Sequence, residues 1–489
     1  MVEKKIKVIF AGAELSPLAK VGGLADVLGS LPKALIKIGV DVSIFLPFYS
    51  FLAKKVKTKL VKKSLLVEID GEGVKFDVYQ TYLPKSKVKI FLVKHNLFSG
   101  KDVYLPVQKK LGKNKKELGN VERFAFFSKA VVAAIRELKM KPDVVHCHDW
   151  HTALVPTFID EYSLKYDNFD NVKSLYTIHN LANQGIVGLD ILDYVSLSRD
   201  LTPAIMEDYY DQDGEVIDLM KIGILSADFI NTVSPNYAQE ILGKEYGAGM
   251  EEYLQRRKKH LSGILNGIDV EFFDPQKDKH IKKRYGVKNF TAGKEVNKED
   301  LQKISKLPKK DVPLFGIVTR LVNQKGLDIL RDSLIDLLPR YDFQLVVLGT
   351  GSLEIEKSFK DLEKKYPQKV RSNILFDASL AQKIYAGSDF FLMPSRFEPC
   401  GLGQMIAMRY GSIPLVRETG GLKDTVKDKK TGFTFKNYKQ KELQNSLEKA
   451  IKFYANKSQK NKMITRIMQE DFSWEKSARA YLQLYKKLS

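Results

Sequence analysis

Short apolar runs alternate with longer helical stretches along the first half of the chain. The runs have four or five residues each, which is typical of buried strands. The stretches between them place apolar residues at helical spacing, as in residues 123–138. This alternation predicts a parallel sheet covered by helices on both faces. The predicted strands are residues 6–10, 42–45, 90–93, 144–147, 175–178 and 229–232.

The pattern is interrupted around residues 266–310, where a polar, lysine-rich sequence predicts a connecting segment. Predicted strands then resume at residues 314–319, 344–348, 373–376, 390–393 and 413–416. The fold class is therefore α/β, with two doubly wound, Rossmann-like parallel-sheet domains that face each other across a deep cleft. A length of 489 residues agrees with two domains of about 200–250 residues.

The composition is 44% hydrophobic and 28% charged, which is typical of a globular protein, but the net charge is +21. Such a charge suggests nucleic-acid binding, yet no recognition motif accompanies it. A solvated lysine-rich surface is the preferred interpretation, and attraction of anionic ligands such as a nucleotide sugar stays open. The lysines are scattered in groups at residues 54–63, 109–116, 277–283, 427–441 and 457–462.

The chain offers no targeting signal and no membrane segment. No apolar run approaches the roughly 18 residues of a membrane helix. The first predicted strand begins at once after the N-terminus, so we expect neither a signal nor a transit peptide. Cys147 and Cys400 are the two cysteines, and their separation fits a reducing compartment rather than a disulfide framework. We expect a cytoplasmic protein without a membrane partner.

A lysine and two glycines follow the first predicted strand. Lys20, Gly22 and Gly23 lie at the start of a helix, where paired glycines allow close approach of a ligand and helix amides favour phosphate. A purely structural turn is the alternative, because the G-x-G-x-x-G dinucleotide fingerprint is absent.

Four histidines lie at or just after the ends of the strands predicted at 144–147 and 175–178. His146, His148 and His151 suggest a metal site, but no Glu or Cys cluster completes a tetrahedral set. Polar lining of a sugar or acceptor site and structural hydrogen bonding are preferred. His179 lies at the end of the next strand, at the same predicted edge, where structural and catalytic roles both stay open.

Arg320 and Lys325 span the first strand-to-helix turn of the second domain. A guanidinium fork and a compact ammonium five residues apart can bind one diphosphate, although a surface ion pair is the alternative. Thr419 and Gly420 occupy a similar turn further on, where backbone amides could also bind phosphate.

Glu398 lies in a proline-bounded turn after the strand at residues 390–393. Its carboxylate can bind sugar hydroxyls or face a cationic transition state, or it can simply cap the following helix. Cys400 has no histidine near it in sequence, so a catalytic thiol is disfavoured. Asp211 and Asp213 form no convincing Asp-x-Asp metal signature. Without a metal, Arg, Lys and helix dipoles must offset the leaving-group charge.

The motifs together resemble those of bacterial glycogen synthases and plant starch synthases, which are retaining glycosyltransferases of the two-domain GT-B fold. The similar segments are Lys-Val-Gly-Gly-Leu at 20–24, Thr-Ile-His-Asn-Leu-Ala at 177–182, Arg-Leu-Val-Asn-Gln-Lys-Gly at 320–326 and Ser-Arg-Phe-Glu-Pro-Cys-Gly at 395–401. The resemblance is essentially full length. It implies a first domain over residues 1–264, completed by a C-terminal helix over 473–489, and a nucleotide-sugar-binding domain over 265–472.

The resemblance also implies an activity. Glucose would pass from ADP-glucose to the non-reducing end of an α-1,4-glucan, such as glycogen or a maltooligosaccharide, with no metal or other cofactor. A covalent route and front-face attack both retain configuration, and the resemblance favours front-face attack. The alternatives are another GT-B enzyme that uses a UDP- or GDP-sugar, and a non-catalytic glucan-binding protein. The oligomeric state is not indicated.

By the resemblance, Arg320 and Lys325 bind the ADP phosphates and stabilise the departing diphosphate. Glu398 holds glucose hydroxyls, and His179 contacts the transferred sugar near its anomeric centre. The other implied donor-binding residues are Lys20, Gly22, Gly23, Asn266, Phe376 against adenine, Cys400, Gly401, Leu402, Thr419 and Gly420. The residues implied on the acceptor side are Asp26, His148 and Asp149.

Two positions depart from the family pattern. Asn183 stands where an aromatic residue is usual, and Gly403 stands where threonine is usual. Neither is assigned to the chemistry, but both flank the expected site, so acceptor handling or turnover could differ.

Overall fold

The computed structural model describes residues 5–105, 119–197 and 216–489, which form two compact units. The lysine group at 109–116 and the Asp211 and Asp213 pair lie outside the described residues. The first unit comprises Met1–Val233, Ala238–Ile264 and Trp474–Ser489, and the second comprises Ser234–Tyr237 and Leu265–Ser473.

The first unit is built on a nine-stranded sheet with a separate two-stranded ribbon. Its strands are β1 (Lys7–Ala11), β2 (Asp41–Pro47), β3 (Lys59–Ile69), β4 (Glu72–Tyr82), β5 (Lys89–Lys94), β6 (Val144–His148), β7 (Lys173–Ile178), β8 (Ile186–Gly188), β9 (Val216–Asp218), β10 (Phe229–Thr232) and β11 (Leu261–Gly263). The sheet order is β11-β10-β7-β6-β1-β2-β5-β4-β3. All neighbours are parallel except β4, which runs antiparallel to β3 and β5, and β8 pairs antiparallel with β9.

Helices follow most strands of the first unit. They are α1 (Gly23–Lys37), α2 (Asn120–Glu137), α3 (Val155–Ser163), α4 (Asp190–Tyr194), α5 (Leu219–Ser226), α6 (Pro235–Glu240, whose first residues belong to the second unit) and α7 (Glu251–Arg256). The C-terminal helix α16 (Trp474–Leu488) packs along α1 within this unit.

The second unit has a six-stranded, fully parallel sheet. Its strands are β12 (Leu314–Val318), β13 (Gln344–Leu348), β14 (Val370–Asn373), β15 (Phe390–Met393), β16 (Ile413–Arg417) and β17 (Phe433–Phe435), in the order β14-β13-β12-β15-β16-β17. Its helices are α8 (Phe290–Ile304), α9 (Leu327–Leu337), α10 (Leu353–Lys365), α11 (Ala378–Gly387), α12 (Gly403–Arg409), α13 (Gly420–Thr425), α14 (Gln440–Tyr454) and α15 (Lys457–Gln469).

The four inner strands of the second sheet, β12, β13, β15 and β16, are buried on both faces, as the continuous apolar runs predict. Every residue of β13 is buried, and Leu314, Val346 and Leu348 join Leu301 and Ile384 of the flanking helices in one apolar cluster. The predicted α/β class with two parallel-sheet units is therefore confirmed. Among the described helices, none is both long enough and apolar enough to cross a membrane.

Two sequence predictions are wrong in detail, and one pair of strands was not predicted. The strand predicted at 373–376 lies at Val370–Asn373, because Leu375 and Phe376 are exposed loop residues. The segment at 266–310 contains α8, whose buried face carries the polar residues Lys294 and Asn297 beside Leu301 and so lacks a clear apolar period. The β3–β4 hairpin was missed because β3 starts with six exposed, lysine-rich positions.

Candidate active site

The sheet order of the second unit creates a switch point between β12 and β15. These strands are neighbours although β13 and β14 lie between them in sequence. In such sheets, ligands bind outside the carboxyl ends of the strands at this point. Arg320 and Lys325 follow β12, and Glu398 follows β15. The strand order therefore brings the cationic and acidic side chains to one place.

Lys325 and Glu398 form a buried ion pair at this edge. Lys325 Nζ lies 2.7 Å from Glu398 Oε2, and the two side chains are 15% and 8% exposed. The hydroxyl of Ser395 donates to the same carboxylate oxygen at 2.9 Å. One oxygen of Glu398 thus receives two donors, which fixes the carboxylate and the ammonium in a single geometry.

Two glycines allow the turns after β12, β15 and β16 to approach closely. Gly326 has φ +69°, and a Cβ there would overlap the carbonyl oxygen of Pro394. Gly420 has φ +44°, and a Cβ there would overlap the carbonyl oxygen of Glu398. The amide of Gly421 donates to the carbonyls of Glu398 and Pro399, at 3.2 Å each. Glycine is required at 326 and 420 because the three turns touch through their backbones.

The other residues expected around the donor differ in exposure. Arg320 is exposed, and the ring of Phe376 is 90% exposed in the loop after β14, so both are accessible to a ligand. Asn266 is buried, and its Oδ1 atom has no hydrogen-bond partner among the described residues. A buried amide oxygen without a partner is unfavourable unless a ligand or water supplies a donor.

Cys400 is buried in the turn that carries Glu398, together with Thr419 across the turn. Burial raises the pKa of the Cys400 thiol to about 12, opposed by the backbone N–H of Asn266, which donates to its sulfur. The thiol is therefore protonated at neutral pH, which disfavours a nucleophilic role. Gly401 and Leu402 are half-buried and lead into α12.

Gly403, the first of the two family departures, begins α12. A Cβ at this position would lie 3.1 Å from the ring of Phe391 and 3.3 Å from the sulfur of Met393, so a side chain would press on β15. Asn183, the second departure, is exposed in the loop after β7.

The first unit has its own switch point, between β1 and β6. A buried carboxylate, Glu14, lies in the loop after β1 and is 4% exposed. Its Oε2 accepts the backbone amides of Val21 and Gly22 at 2.9 and 2.6 Å, and its Oε1 accepts the Tyr104 hydroxyl at 2.7 Å. Glu14 thus holds the glycine turn that precedes α1.

Lys20 and Asp26 pair across this turn. Lys20 Nζ lies 2.6 Å from Asp26 Oδ1, with the two side chains 48% and 31% exposed. Gly23 begins α1 and has open space around its α-carbon, unlike the glycines at 326 and 420. The ammonium of Lys20 is therefore exposed and carried on a turn whose backbone is fixed.

His148, Asp149 and His179 meet where β6 and β7 end. Asp149 has φ +52°, and its Oδ1 accepts the backbone amide of His179 at 2.7 Å. The rings of His148 and His179 share a hydrogen bond of 3.0 Å between Nδ1 and Nε2. Both the backbone and the ring of His179 are therefore held.

Burial controls the protonation of this cluster. It lowers the pKa of His179 to about 3 and that of His148 well below the usual range. It raises the pKa of Asp149 to about 7, an effect that the amides of His179 and Asn180 partly oppose. His179 is thus a neutral imidazole near pH 7, able to hydrogen-bond but carrying no charge.

The three clustered histidines do not converge on one point. His146 bonds to Tyr485 and Thr177, at 2.8 and 2.7 Å, whereas His148 turns to His179. His151 lies among aromatic rings, edge-on to Phe124 and tilted against Trp150. Within the described ranges, no group of three or more His, Cys, Asp or Glu side chains is arranged to hold a metal ion.

Sequence reasoning missed the residues that position others. Glu14 and Tyr104 were given no role, and Ser395 was given none although it opens the motif at 395–401. The available signal was an acidic residue within the otherwise apolar stretch at 11–15, since a buried carboxylate needs dedicated donors.

The two sheets with their polar edges, together with the matches to known families, define a two-domain glycosyltransferase. Residues 297–467 match the family described as glycosyl transferases group 1, and residues 7–256 match the starch synthase catalytic domain. The chain is 43% identical to the glycogen synthase of Thermotoga maritima, over 99% of both chains. It is 38% identical to that of Thermodesulfovibrio yellowstonii, over 99% of this chain and 98% of the relative. The chain therefore belongs to the glycogen and starch synthase family.

Solved structures agree with this assignment. The catalytic domain of starch synthase IV from Arabidopsis thaliana, bound to ADP and acarbose, superposes with a TM-score of 0.87 and is 33% identical, over 99% of both chains. Sucrose-phosphate synthase from Thermosynechococcus elongatus has a TM-score of 0.61 at 19% identity, also over 99% of both chains, which indicates the shared fold alone.

Proposed function

We propose that this chain transfers glucose from ADP-glucose to the non-reducing end of an α-1,4-glucan, with retention of configuration. The observation that carries the proposal is the buried Lys325–Glu398 pair at the switch point of the second sheet. Family membership supports the glucan, and the ADP bound to the Arabidopsis starch synthase supports the donor base.

The donor half of the site consists of cations, an aromatic ring and a carboxylate. Arg320 and Lys325 offset the charge of the departing diphosphate, with Thr419 and Gly420 contacting its oxygens. Phe376, which is 90% exposed, stacks on adenine. Glu398 binds glucose hydroxyls with the backbone of Cys400–Leu402, and Asn266 Oδ1 gains the donor that it lacks.

Residues of the first unit act on the glucosyl group and the acceptor. His179 hydrogen-bonds the transferred sugar as a neutral imidazole, because its pKa of about 3 prevents protonation near neutral pH. Asp149 and His148 orient His179 through hydrogen bonds to its backbone and its ring. Lys20, on the Gly22–Gly23 turn that Glu14 holds, adds a positive charge for the donor phosphates, and Asp26 restrains that lysine.

The reaction that we propose is front-face attack. The bond from the anomeric carbon to the phosphate oxygen breaks as the acceptor hydroxyl oxygen bonds to the same face. The hydroxyl proton passes to the departing phosphate oxygen, which leaves as ADP. Glu398 is better suited to hydroxyl binding than to nucleophilic attack, because its Oε2 already receives Lys325 and Ser395. Arg320 and Lys325 supply the positive charge that a metal would otherwise provide, so we propose that no metal is required.

The test is incorporation of labelled glucose into glycogen, comparing ADP-, UDP- and GDP-glucose in buffer with a metal chelator. We expect transfer chiefly from ADP-glucose, undiminished by the chelator. Preference for UDP- or GDP-glucose would instead support the alternative GT-B activity. Absence of transfer from all three donors would support a non-catalytic glucan-binding protein. Dependence on added Mg²⁺ would contradict the metal-free mechanism.

A further inference from the structure

A cavity of about 570 Å³ lies in the second unit, at the edge of the sheet opposite the candidate active site. Its lining includes Asp311, shortly before β12, and Gly387 and Asp389, immediately before β15. These residues lie at the amino ends of the strands, whereas Arg320 and Glu398 follow the carboxyl ends. Six lysines and four acidic residues line it: Lys294, Lys298, Lys309, Lys310, Lys457 and Lys460, against Glu295, Glu299, Asp311 and Asp389.

The floor of this cavity contains more buried positive charge than negative charge. Asp389 is the buried carboxylate, with Lys298 Nζ at 2.7 Å from Oδ2 and Lys460 Nζ at 3.4 Å from Oδ1. The side chains of these two lysines are only 12% and 13% exposed. Two buried ammonium groups therefore share one carboxylate.

A third buried lysine lies beside this group and is hydrogen-bonded to neutral acceptors. Lys294 is 7% exposed, and its Nζ donates to the carbonyl oxygens of Ala386 and Tyr410 and to Ser412 Oγ, all of them uncharged. Burial is the main cause that lowers the pKa of Lys294 to about 7. The charge of Asp389 opposes this effect, and the charges of Lys460 and Lys298 add to it. Lys294 is therefore partly neutral near pH 7, and the buried positive charge at this place belongs chiefly to Lys298 and Lys460.

Further lysines surround the mouth with mobile charge. Lys457 pairs with Asp311 at 2.9 Å and is 67% exposed, and Lys309 pairs with Glu299 at 2.8 Å and is 73% exposed. Such exposed pairs are weak and exchange partners readily. Buried charge normally has a partner of opposite sign, so a surplus of buried ammonium that faces a cavity calls for an anion.

We propose that this cavity binds a small organic phosphate, with Lys460 as the principal buried contact. Lys460 is suited to this role because its ion pair with Asp389 is long, at 3.4 Å, and its other close contact is the Tyr454 ring, 4.0 Å from Nζ, so N–H donors can turn to the ligand. A phosphate accepts several charge-assisted hydrogen bonds at once, which matches a ring of ammonium groups. The volume falls within the range of small-molecule sites. The proposal also assigns a role to the lysine group at 457–462, which the transferase site does not use.

The experiment measures binding of inorganic phosphate and of glycerol 3-phosphate to the full chain, by calorimetry at constant ionic strength, with glycerol as the uncharged control. Because Arg320 and Lys325 can also bind phosphate, every titration is repeated in an Arg320→Gln/Lys325→Gln background. We expect saturable phosphate binding to persist in that background. Lys460→Gln should weaken it at least tenfold.

Two further variants keep the result interpretable. Lys457→Gln/Lys309→Gln removes two exposed charges at the mouth, so it folds even if Lys460→Gln does not, and it should weaken binding at least threefold. Lys357→Gln removes a 77% exposed lysine on α10, outside the cavity, and should leave binding unchanged. Absence of saturable binding in the Arg320→Gln/Lys325→Gln background would overturn the proposal. Equal weakening by Lys357→Gln and the cavity variants would also overturn it.

Discussion

Replacing Lys325 with alanine tests whether its ion pair with Glu398 serves catalysis as well as stability. The side chains are 2.7 Å apart and 15% and 8% exposed, so water screens the pair only weakly. Removing one partner of a buried pair costs about 3–5 kcal/mol. Because Ser395 still donates to Glu398, we expect the lower end, about 3 kcal/mol. In a unit of this size, that lowers Tm by about 6–12 °C.

Turnover should fall much further than stability alone explains. Lys325 supplies positive charge where the departing diphosphate develops negative charge, and loss of such a group typically costs about 10²-fold or more in kcat. Glu398→Ala should cause a similar loss of turnover. The assay is the initial rate of glucose incorporation into glycogen, measured well below the Tm of each variant and paired with thermal unfolding.

A double variant separates the two effects. Lys325→Met/Glu398→Gln removes both charges at similar side-chain volume. Its Tm should therefore recover most of the difference between Lys325→Ala and the wild type, whereas its turnover should stay at least about 10²-fold below that of the wild type. Lys357→Ala, in an exposed pair with Asp361, is the matched control and should alter neither quantity noticeably. A wild-type rate in Lys325→Ala, or recovery of rate together with Tm in the double variant, would refute the catalytic role.

Two other predictions concern the second unit. Phe376→Ala should leave Tm unchanged, because the ring is 90% exposed. It should raise the KM for ADP-glucose about tenfold or more, since stacking on a base contributes about 1–3 kcal/mol. Leu353→Ala, at a residue that is 82% exposed, is the control, and a KM for Phe376→Ala equal to that of the control would contradict the stacking role. Lys294 has a pKa of about 7 when folded, against an ordinary value of 10.5. The folded state therefore binds fewer protons than the unfolded chain between these values, and the free energy of unfolding rises with pH across that window. Lys294→Met should reduce this slope by about 1.4 kcal/mol per pH unit in denaturant titrations, and an unchanged slope would contradict the lowered pKa of Lys294.

The sequence predicted the local parts of this fold well. Apolar runs identified most strands because a strand buried on both faces must be apolar throughout. Motifs at strand ends placed Arg320, Lys325 and Glu398 in the turns that follow strands, because glycine, proline and charged residues mark such turns. The same reasoning failed at α8, where Lys294 and Asn297 occupy buried positions through specific hydrogen bonds that no apolar period reveals.

By itself, the sequence determined two α/β units, the edges that carry polar turns, and the family to which those motifs belong. Tertiary structure decided which of these residues meet. Lys325 and Glu398 are 73 positions apart, and they pair because β12 and β15 are neighbours in the sheet. Only burial and distance show that Glu14 accepts the amides of the glycine turn and that Lys460 shares the buried carboxylate of Asp389 with Lys298. A chain encodes local preference residue by residue, whereas contacts between distant residues and the burial of charge exist only once the sheets have assembled.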